Sequence, residues 1–214
     1  MLWLLILLLA YLVVTKSAQI PRSIAHSALT EYRFFRRQSA FPKRLSTKEI
    51  ISLVAVWLLT SIGPFNIDQP ILWQAMTLIL TAALLTGAMI DYRTGLLPFK
   101  ISGVIGTTAL LYTSVSAPMQ MTMHLITALG VGSALSLINT LSQRLWHVIP
   151  LSGGDIALLT SLCLCFSLPE IAAIVWIASM TGLIESRFRR RAMIHFGTHL
   201  AAATLCCWYL KVIL

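Results

Sequence analysis

The chain has 214 residues, of which 57% are apolar and 11% are charged, and its mean hydropathy is +0.84. About a quarter of the residues of a soluble domain are charged, so this composition excludes an ordinary soluble enzyme and a disordered protein. The net charge of +9 would suggest nucleic-acid binding in a soluble domain, but the Lys and Arg residues of a membrane protein accumulate in its cytoplasmic loops. We therefore predict an integral membrane protein without a nucleic-acid partner.

The N-terminal part of the chain combines an apolar run with a basic segment. Residues 1–15 are apolar from the first position, with no basic residue before them and no A-x-A-like cleavage site after them. This pattern favours a retained first transmembrane helix over a cleaved signal peptide. Residues 16–48 contain eight Lys/Arg and a single acid, Glu31, and we predict that they form a basic cytoplasmic loop.

Residues 49–214 are predicted to form a membrane-embedded helical domain. A spanning helix needs about 20 mostly apolar residues, and turn residues at 63–64, 116–118 and 169–170 divide this region. The predicted helices are 49–67, 71–90, the two arms of a hairpin within 101–143, 156–168, 171–184 and 193–214. Together with the first helix, they predict an all-α, polytopic fold of about eight transmembrane helices.

The distribution of basic residues predicts the orientation of this fold. If loop 16–48 is cytoplasmic, the alternate loops 91–100, 144–154 and 185–191 are cytoplasmic too, and these four loops contain 15 of the 16 Lys/Arg. The intervening loops contain none. Because Lys and Arg mark cytoplasmic loops, we predict an N-out, C-out topology.

Two of the seven acids, Asp91 and Asp155, lie at the predicted cytoplasmic ends of apolar helices. Each alone could be a solvated helix end, and Asp155 could be an N-terminal helix cap. Acids at a membrane edge are costly and tend to mark function, however, and two at one depth can form an aspartic-protease pair. In such a pair the ionised carboxylate takes a proton from water while the protonated one donates to the scissile carbonyl oxygen.

Glycines beside both acids support this interpretation. Gly153 and Gly154 have no side chains to obstruct an approaching peptide backbone. Gly87 precedes Asp91 by four residues, so it lies on the same helix face and allows another helix to pack closely beside the acid.

Three landmarks in order resemble those of type IV prepilin peptidases, the bacterial branch of the GxGD-type intramembrane aspartic proteases. Asp91 is followed by Leu97-Pro98, with the proline seven residues after the acid. Ser152-Gly153-Gly154-Asp155 matches the family's glycine-rich segment that ends in the second Asp. Phe196-Gly197 followed by Leu200-Ala201 matches the family's C-terminal landmark.

The resemblance implies a multi-pass endopeptidase of the bacterial inner membrane that removes leader peptides from type IV prepilins or pseudopilins. It implies that Asp91 and Asp155 are catalytic, that Pro98 supports them, and that no cofactor is needed. Three positions depart from the family pattern: Ser152 replaces the first glycine of GxGD, Ala157 replaces a lysine, and Phe99 replaces an acid. Loop 16–48 contains no cysteine, whereas larger members hold a zinc-binding segment there that is associated with N-methylation, so we expect cleavage without methylation.

Two other interpretations compete with a peptidase. A small ion- or proton-coupled transporter could use the same two Asp residues, although transporters more often place their acids near the bilayer midplane. His195 and His199 are four residues apart, a spacing found in metal sites. No H-E-x-x-H motif occurs and their predicted helix offers no carboxylate, so the sequence predicts ordinary histidines and no metal site.

Overall fold

The computed structural model of the protein is all-helical over the residues it describes, which confirms the all-α part of the predicted fold, whereas the count of eight helices and the orientation stay predictions. It describes Ala55 and residues 71–95, 97–147, 150–189 and 195–213, and no β-strand occurs among them. The helices are α1 (Ile71–Thr94), α2 (Phe99–Ser116), α3 (Met121–Trp146), α4 (Gly153–Leu162), α5 (Leu168–Arg189) and α6 (Phe196–Ile213). The predicted helix 1–15 and loop 16–48 lie outside the described residues, as does the predicted helix 49–67 except for Ala55.

The hairpin predicted within 101–143 is present, with α2 and α3 as its arms. α2 ends at Ser116, Ala117 caps it, and a short 3-10 turn from Pro118 to Gln120 leads into α3. Proline at the start of this turn has no N–H that would need an acceptor, so it allows the chain to reverse there.

The break predicted at Pro169-Glu170 is displaced in the structure. α4 already ends at Leu162, and the chain turns through residues 163–167 before α5 begins at Leu168. Pro169 therefore lies in the first turn of α5, where its missing N–H costs nothing because the first N–H groups of a helix have no intrahelical acceptor. The predicted start of the last helix at 193 is also displaced, since α6 begins at Phe196.

α1, α2, α4 and α6 pack around a common apolar core. α1 packs against both α2 and α6, α2 packs against α4, and α4 also touches α6, while α5 packs along α6. The largest fully buried apolar side chains include Leu80, Leu84, Ile105, Leu158, Leu162, Ile174 and Leu200. Because closely packed side chains join these helices, the ends of α1, α4 and α6 have defined positions relative to one another.

Three helices are long and apolar enough to cross a membrane: Leu72–Tyr92, Pro118–Trp146 and Leu168–Phe188. The outer helix α3 packs mainly on α4 and buries only Ala128 and Ser142. Its exposed face is apolar, with Ile126 59%, Leu129 69% and Leu137 60% exposed. A helix with an apolar outer surface of this kind is suited to lipid rather than to water.

Candidate active site

Asp91 and Asp155, which are far apart in sequence, meet where the ends of three helices converge. Asp91 lies in the last turn of α1, Asp155 is the third residue of α4, and Gly197 is the second residue of α6. A Cβ atom on Gly197 would lie 3.1 Å from Oδ1 of Asp155 and 3.1 Å from Oδ2 of Asp91. The two carboxylate oxygens are therefore no farther apart than twice that distance.

Asp155 is held by the residue that caps its own helix. The Ser152 hydroxyl donates to Oδ2 of Asp155 at 2.8 Å, the Ser152 N–H donates to the same oxygen at 3.3 Å, and the Asp155 N–H donates to the Ser152 hydroxyl oxygen at 3.1 Å. These reciprocal bonds form a capping box, so Ser152 is the N-cap and Asp155 is the third residue of the helix. The alternative in which Asp155 itself is the N-cap is therefore wrong.

The second carboxylate oxygen of Asp155 has a different environment. Oδ1 is buried and, among the residues that the structure describes, is the only buried side-chain oxygen or nitrogen without a hydrogen-bond partner. Asp155 lies outside the three candidate spans, and burial raises its pKa to about 6; the Ser152 hydrogen bonds lower the pKa, and the nearby Asp91 raises it. An acid of this kind keeps its proton to a higher pH than an ordinary aspartic acid does, and its protonated form can act as a hydrogen-bond donor.

Asp91 receives its hydrogen bonds from the start of α6. The Thr198 N–H donates to Oδ2 of Asp91 at 2.8 Å, and the Thr198 hydroxyl lies 3.0 Å from the same oxygen. Asp91 is only 4% exposed. α1 ends shortly after it because Gly95 adopts φ 68, a left-handed conformation that favours glycine, and donates its N–H to the Asp91 carbonyl oxygen at 2.6 Å.

The predicted supporting residues lie beside this pair. A Cβ atom on Gly154 would overlap the backbone carbonyl of Leu97, and one on Gly87 would lie 3.0 Å from the Leu97 side chain. Pro98 is buried and caps the start of α2, and Gly153 is the half-buried first residue of α4. Gly87 and Gly154 therefore allow the buried Leu97 to fit between α1 and α4, which brings the acid-bearing helix ends together.

Three contributions to the site are not evident from the sequence. Leu97 and Gly197 enter the sequence pattern only as landmarks, but Leu97 contacts both Gly87 and Gly154, and Gly197 lies against both acids. Thr198 does not enter the pattern at all. The sequence signal for Thr198 is that a hydroxyl residue directly follows the Phe-Gly landmark. This signal does not identify its hydrogen-bond partner, because Asp91 is 107 residues away in sequence.

The two histidines differ from their predicted arrangement. His195 precedes α6, and its ring lies 5.7 Å from the Tyr92 ring, so His195 and His199 are not on one helix. A carboxylate does reach His199, since Glu185 of α5 accepts a hydrogen bond from its Nε2 at 2.7 Å. Within the described ranges, no three His, Cys, Asp or Glu residues are grouped so that they could hold a metal ion.

The arrangement can perform general acid–base chemistry. It brings together one buried carboxyl with an unpartnered oxygen and a second carboxylate with two nearby donors, in buried surroundings where each carboxyl strongly affects the charge state of the other. No family model, curated protein or solved structure matches the chain.

Proposed function

We propose that this protein is an aspartic endopeptidase that removes the leader peptide from type IV prepilins or pseudopilins at the cytoplasmic face of the bacterial inner membrane. The observation that carries the proposal is the contact of both carboxylates with the position of Gly197. The substrate class is supported by the resemblance of the three landmarks that contain Asp91, Asp155 and Gly197.

In the proposed reaction, the two carboxyl groups share one proton. The ionised carboxylate takes a proton from a water molecule, whose oxygen attacks the scissile carbonyl carbon, while the protonated carboxyl donates its proton to the carbonyl oxygen. The resulting diol collapses when the carboxyl that took the proton from water passes it to the leaving nitrogen, the other carboxylate takes a proton from a diol hydroxyl, and the C–N bond breaks, which returns both carboxyl groups to their starting states. No covalent intermediate with the protein is formed, so the reaction needs neither a Ser nor a Cys nucleophile.

The burial of the pair supports this role. Asp91 is 4% exposed and Asp155 is 6% exposed, so both carboxyl groups are removed from bulk water. Two ionised carboxylates at this separation would repel each other strongly in such surroundings, which favours a single shared proton. The hydrogen bonds from Ser152 and Thr198 fix one oxygen of each carboxyl group and limit its rotation.

The test is cleavage of a purified prepilin by membranes that contain Asp91→Asn or Asp155→Asn protein. We expect each variant to lose at least about 1000-fold in cleavage rate, because an amide has nearly the same shape but cannot exchange the shared proton. Glu170→Gln is the matched control, since Glu170 accepts hydrogen bonds from Ser167 at the start of α5 and lies outside the site, and it should cleave at the wild-type rate.

The outcomes separate the peptidase from the competing transporter. Near wild-type cleavage by either Asn variant would show that the corresponding Asp is not catalytic. If wild-type protein leaves the prepilin intact but proteoliposomes take up protons or cations in a manner that both Asn substitutions abolish, the protein is an ion-coupled transporter instead.

A further inference from the structure

Thr198 approaches Asp91 with both of its polar groups. Its backbone N–H is 2.8 Å from Oδ2 and its hydroxyl is 3.0 Å from the same oxygen. A backbone N–H can only donate, so Oδ2 of Asp91 is kept as an acceptor whenever α6 is folded. Thr198 thereby directs both of its polar groups to Oδ2 of Asp91 and donates no hydrogen bond to the other carboxylate oxygen, Oδ1.

The Thr198 hydroxyl has a second acceptor within reach. Its oxygen lies 2.9 Å from the carbonyl oxygen of Ala88, one turn before Asp91 on α1, as well as 3.0 Å from Oδ2. A hydroxyl has one hydrogen, so it donates to one of these two oxygens at a time. It can bond the Asp91 carboxylate when that group is ionised and turn to the Ala88 carbonyl when it is protonated, without losing its hydrogen bond in either state.

The environment of Asp155 complements this arrangement. Oδ1 of Asp155 is buried without a partner, and both this oxygen and Oδ2 of Asp91 lie 3.1 Å from the position of a Cβ atom on Gly197. An ionised oxygen left buried without a donor is costly, whereas a protonated Oδ1 has its own hydrogen to donate toward Asp91. The geometry therefore favours Asp91 as the proton acceptor of the pair before reaction.

We propose that Thr198 is a positioning residue that holds Asp91 as the general base, with its hydroxyl alternating between Asp91 and the Ala88 carbonyl as the shared proton moves. This inference rests on the proposed peptidase function. The titratable groups that face Asp91 from neighbouring elements are Asp155 of α4, His195, and His199 of α6, and the His199 ring is itself hydrogen-bonded to Glu185 of α5.

The principal variant is Thr198→Val, which keeps the branched shape and the backbone N–H but removes the hydroxyl. We expect kcat for prepilin cleavage to fall about tenfold or more with KM nearly unchanged, because the lost hydrogen bond acts on the reacting carboxylate rather than on substrate binding. The acidic limb of the pH–rate profile should move to higher pH, since the ionised carboxylate has lost a donor. Thr198→Ser restores the hydroxyl and should return both properties toward wild type.

Thr204→Val is the matched control on the same helix. The Thr204 hydroxyl is fully buried and donates to the carbonyl of Leu200 at 2.7 Å, so its removal perturbs α6 without touching the carboxylates. This variant should keep the wild-type pH–rate profile. Equal loss of kcat in the Thr198→Val and Thr204→Val proteins, with no change in either pH profile, would show that Thr198 acts only through the stability of α6.

A measurement on the protein without substrate tests the hydrogen bond from Thr198 to Asp91 independently of the proposed peptidase function. The carboxyl infrared band that Asp91→Asn removes should change frequency in Thr198→Val protein and return in Thr198→Ser protein. An unchanged band, or unchanged kcat and pH profile in a wild-type background that does cleave prepilin, would overturn the role of Thr198 alone. Failure of wild-type protein to cleave any prepilin, with the infrared shift present, would overturn the peptidase proposal and leave the hydrogen-bond assignment intact.

Discussion

Gly197 has no side chain at the position where one would contact both acids of the candidate site. It lies in the first turn of α6, and among the described glycines it is the one whose Cβ atom would contact both acids. Its backbone is helical, so the position needs glycine for space rather than for an unusual φ angle. The space next to Gly197 is where the two carboxyl groups approach each other.

We predict that Gly197→Ala lowers prepilin cleavage by at least about tenfold. Alanine in place of glycine within a helix normally stabilises it by about 0.5–1 kcal/mol, so helix propensity alone would favour the substitution. The new methyl group would lie 3.1 Å from three atoms of the acids, which is closer than ordinary van der Waals contact, so at least one carboxyl group must shift by a few tenths of an ångström from its present position. Cleavage rate and thermal unfolding should be measured together.

Gly103→Ala provides the control for this substitution. Gly103 is exposed on α2 and a Cβ atom there would meet nothing within 4 Å. This variant should keep full activity and be as stable as wild type or more so. If Gly197→Ala behaves in the same way, the carboxyl groups are not confined by the start of α6.

At the scale of helices, two serines precede two helix starts with very different surroundings. Ser152 and Asp155 form the capping box of α4 beside the buried pair, while the exposed Ser167 precedes α5 and donates both its N–H and its hydroxyl to Glu170. Both segments read S-x-x-[DE], which is a sequence signal for a helix start. Only the first segment also contains an acid of the candidate site, so the capping box of α4 holds one of the two carboxyl groups of that site.

We predict that Ser152→Ala and Ser167→Ala have similar effects on stability but different effects on activity. Loss of a serine hydroxyl that is hydrogen-bonded at a helix start typically costs about 1 kcal/mol, so each variant should unfold a few degrees below wild type in detergent. Ser152→Ala should also slow prepilin cleavage about tenfold, because Oδ2 of Asp155 loses its 2.8 Å hydrogen bond. Equal activity of the two variants would contradict a catalytic position for Asp155.

At the scale of the whole molecule, the packing of α1, α4 and α6 places both acids at the same end of this group of helices. α1 presents Asp91 near its C-terminus, whereas α4 presents Asp155 at its N-terminus, so the two helices bring opposite ends to the same place. The basic residues of the loops beside these ends predict that this side of the molecule faces the cytoplasm. With this orientation, the leader peptide of a prepilin could reach the two acids from the cytoplasm.

We predict the corresponding pattern for topology reporters fused along the chain. Fusions after Arg37, Pro98, Gly154 and Arg191 should report the cytoplasm, and fusions after Gln69, Ala117 and Leu214 should report the periplasm. Paired phosphatase and fluorescent reporters at each position would give opposite signals and so control for expression. A periplasmic signal after Gly154 together with a cytoplasmic signal after Pro98 would place the acids on opposite sides of the membrane, which contradicts both the packing and the mechanism.

Several features of this protein follow from the sequence alone because they depend on composition and local spacing. The apolar content predicts helices suited to a membrane, and residues 116–118, which end in Pro118, predict where the hairpin of α2 and α3 turns. The scarcity of acids in apolar surroundings also singles out Asp91 and Asp155, because such acids are costly unless they are used. The displaced break near Pro169 shows the limit of local signals, since proline is as compatible with a helix start as with a turn.

Only the tertiary structure decided how these residues meet. The contact of Gly197 with both acids, the two hydrogen bonds from Thr198 to Asp91, and the fit of Leu97 between Gly87 and Gly154 join positions that are distant in sequence. Such contacts depend on how the helices of the core pack side by side, which no periodic pattern within one helix specifies. The sequence therefore determined which carboxyl groups were candidates, whereas the packing decided their separation, their hydrogen-bond donors and the oxygen left without a partner, because these properties arise only between helices.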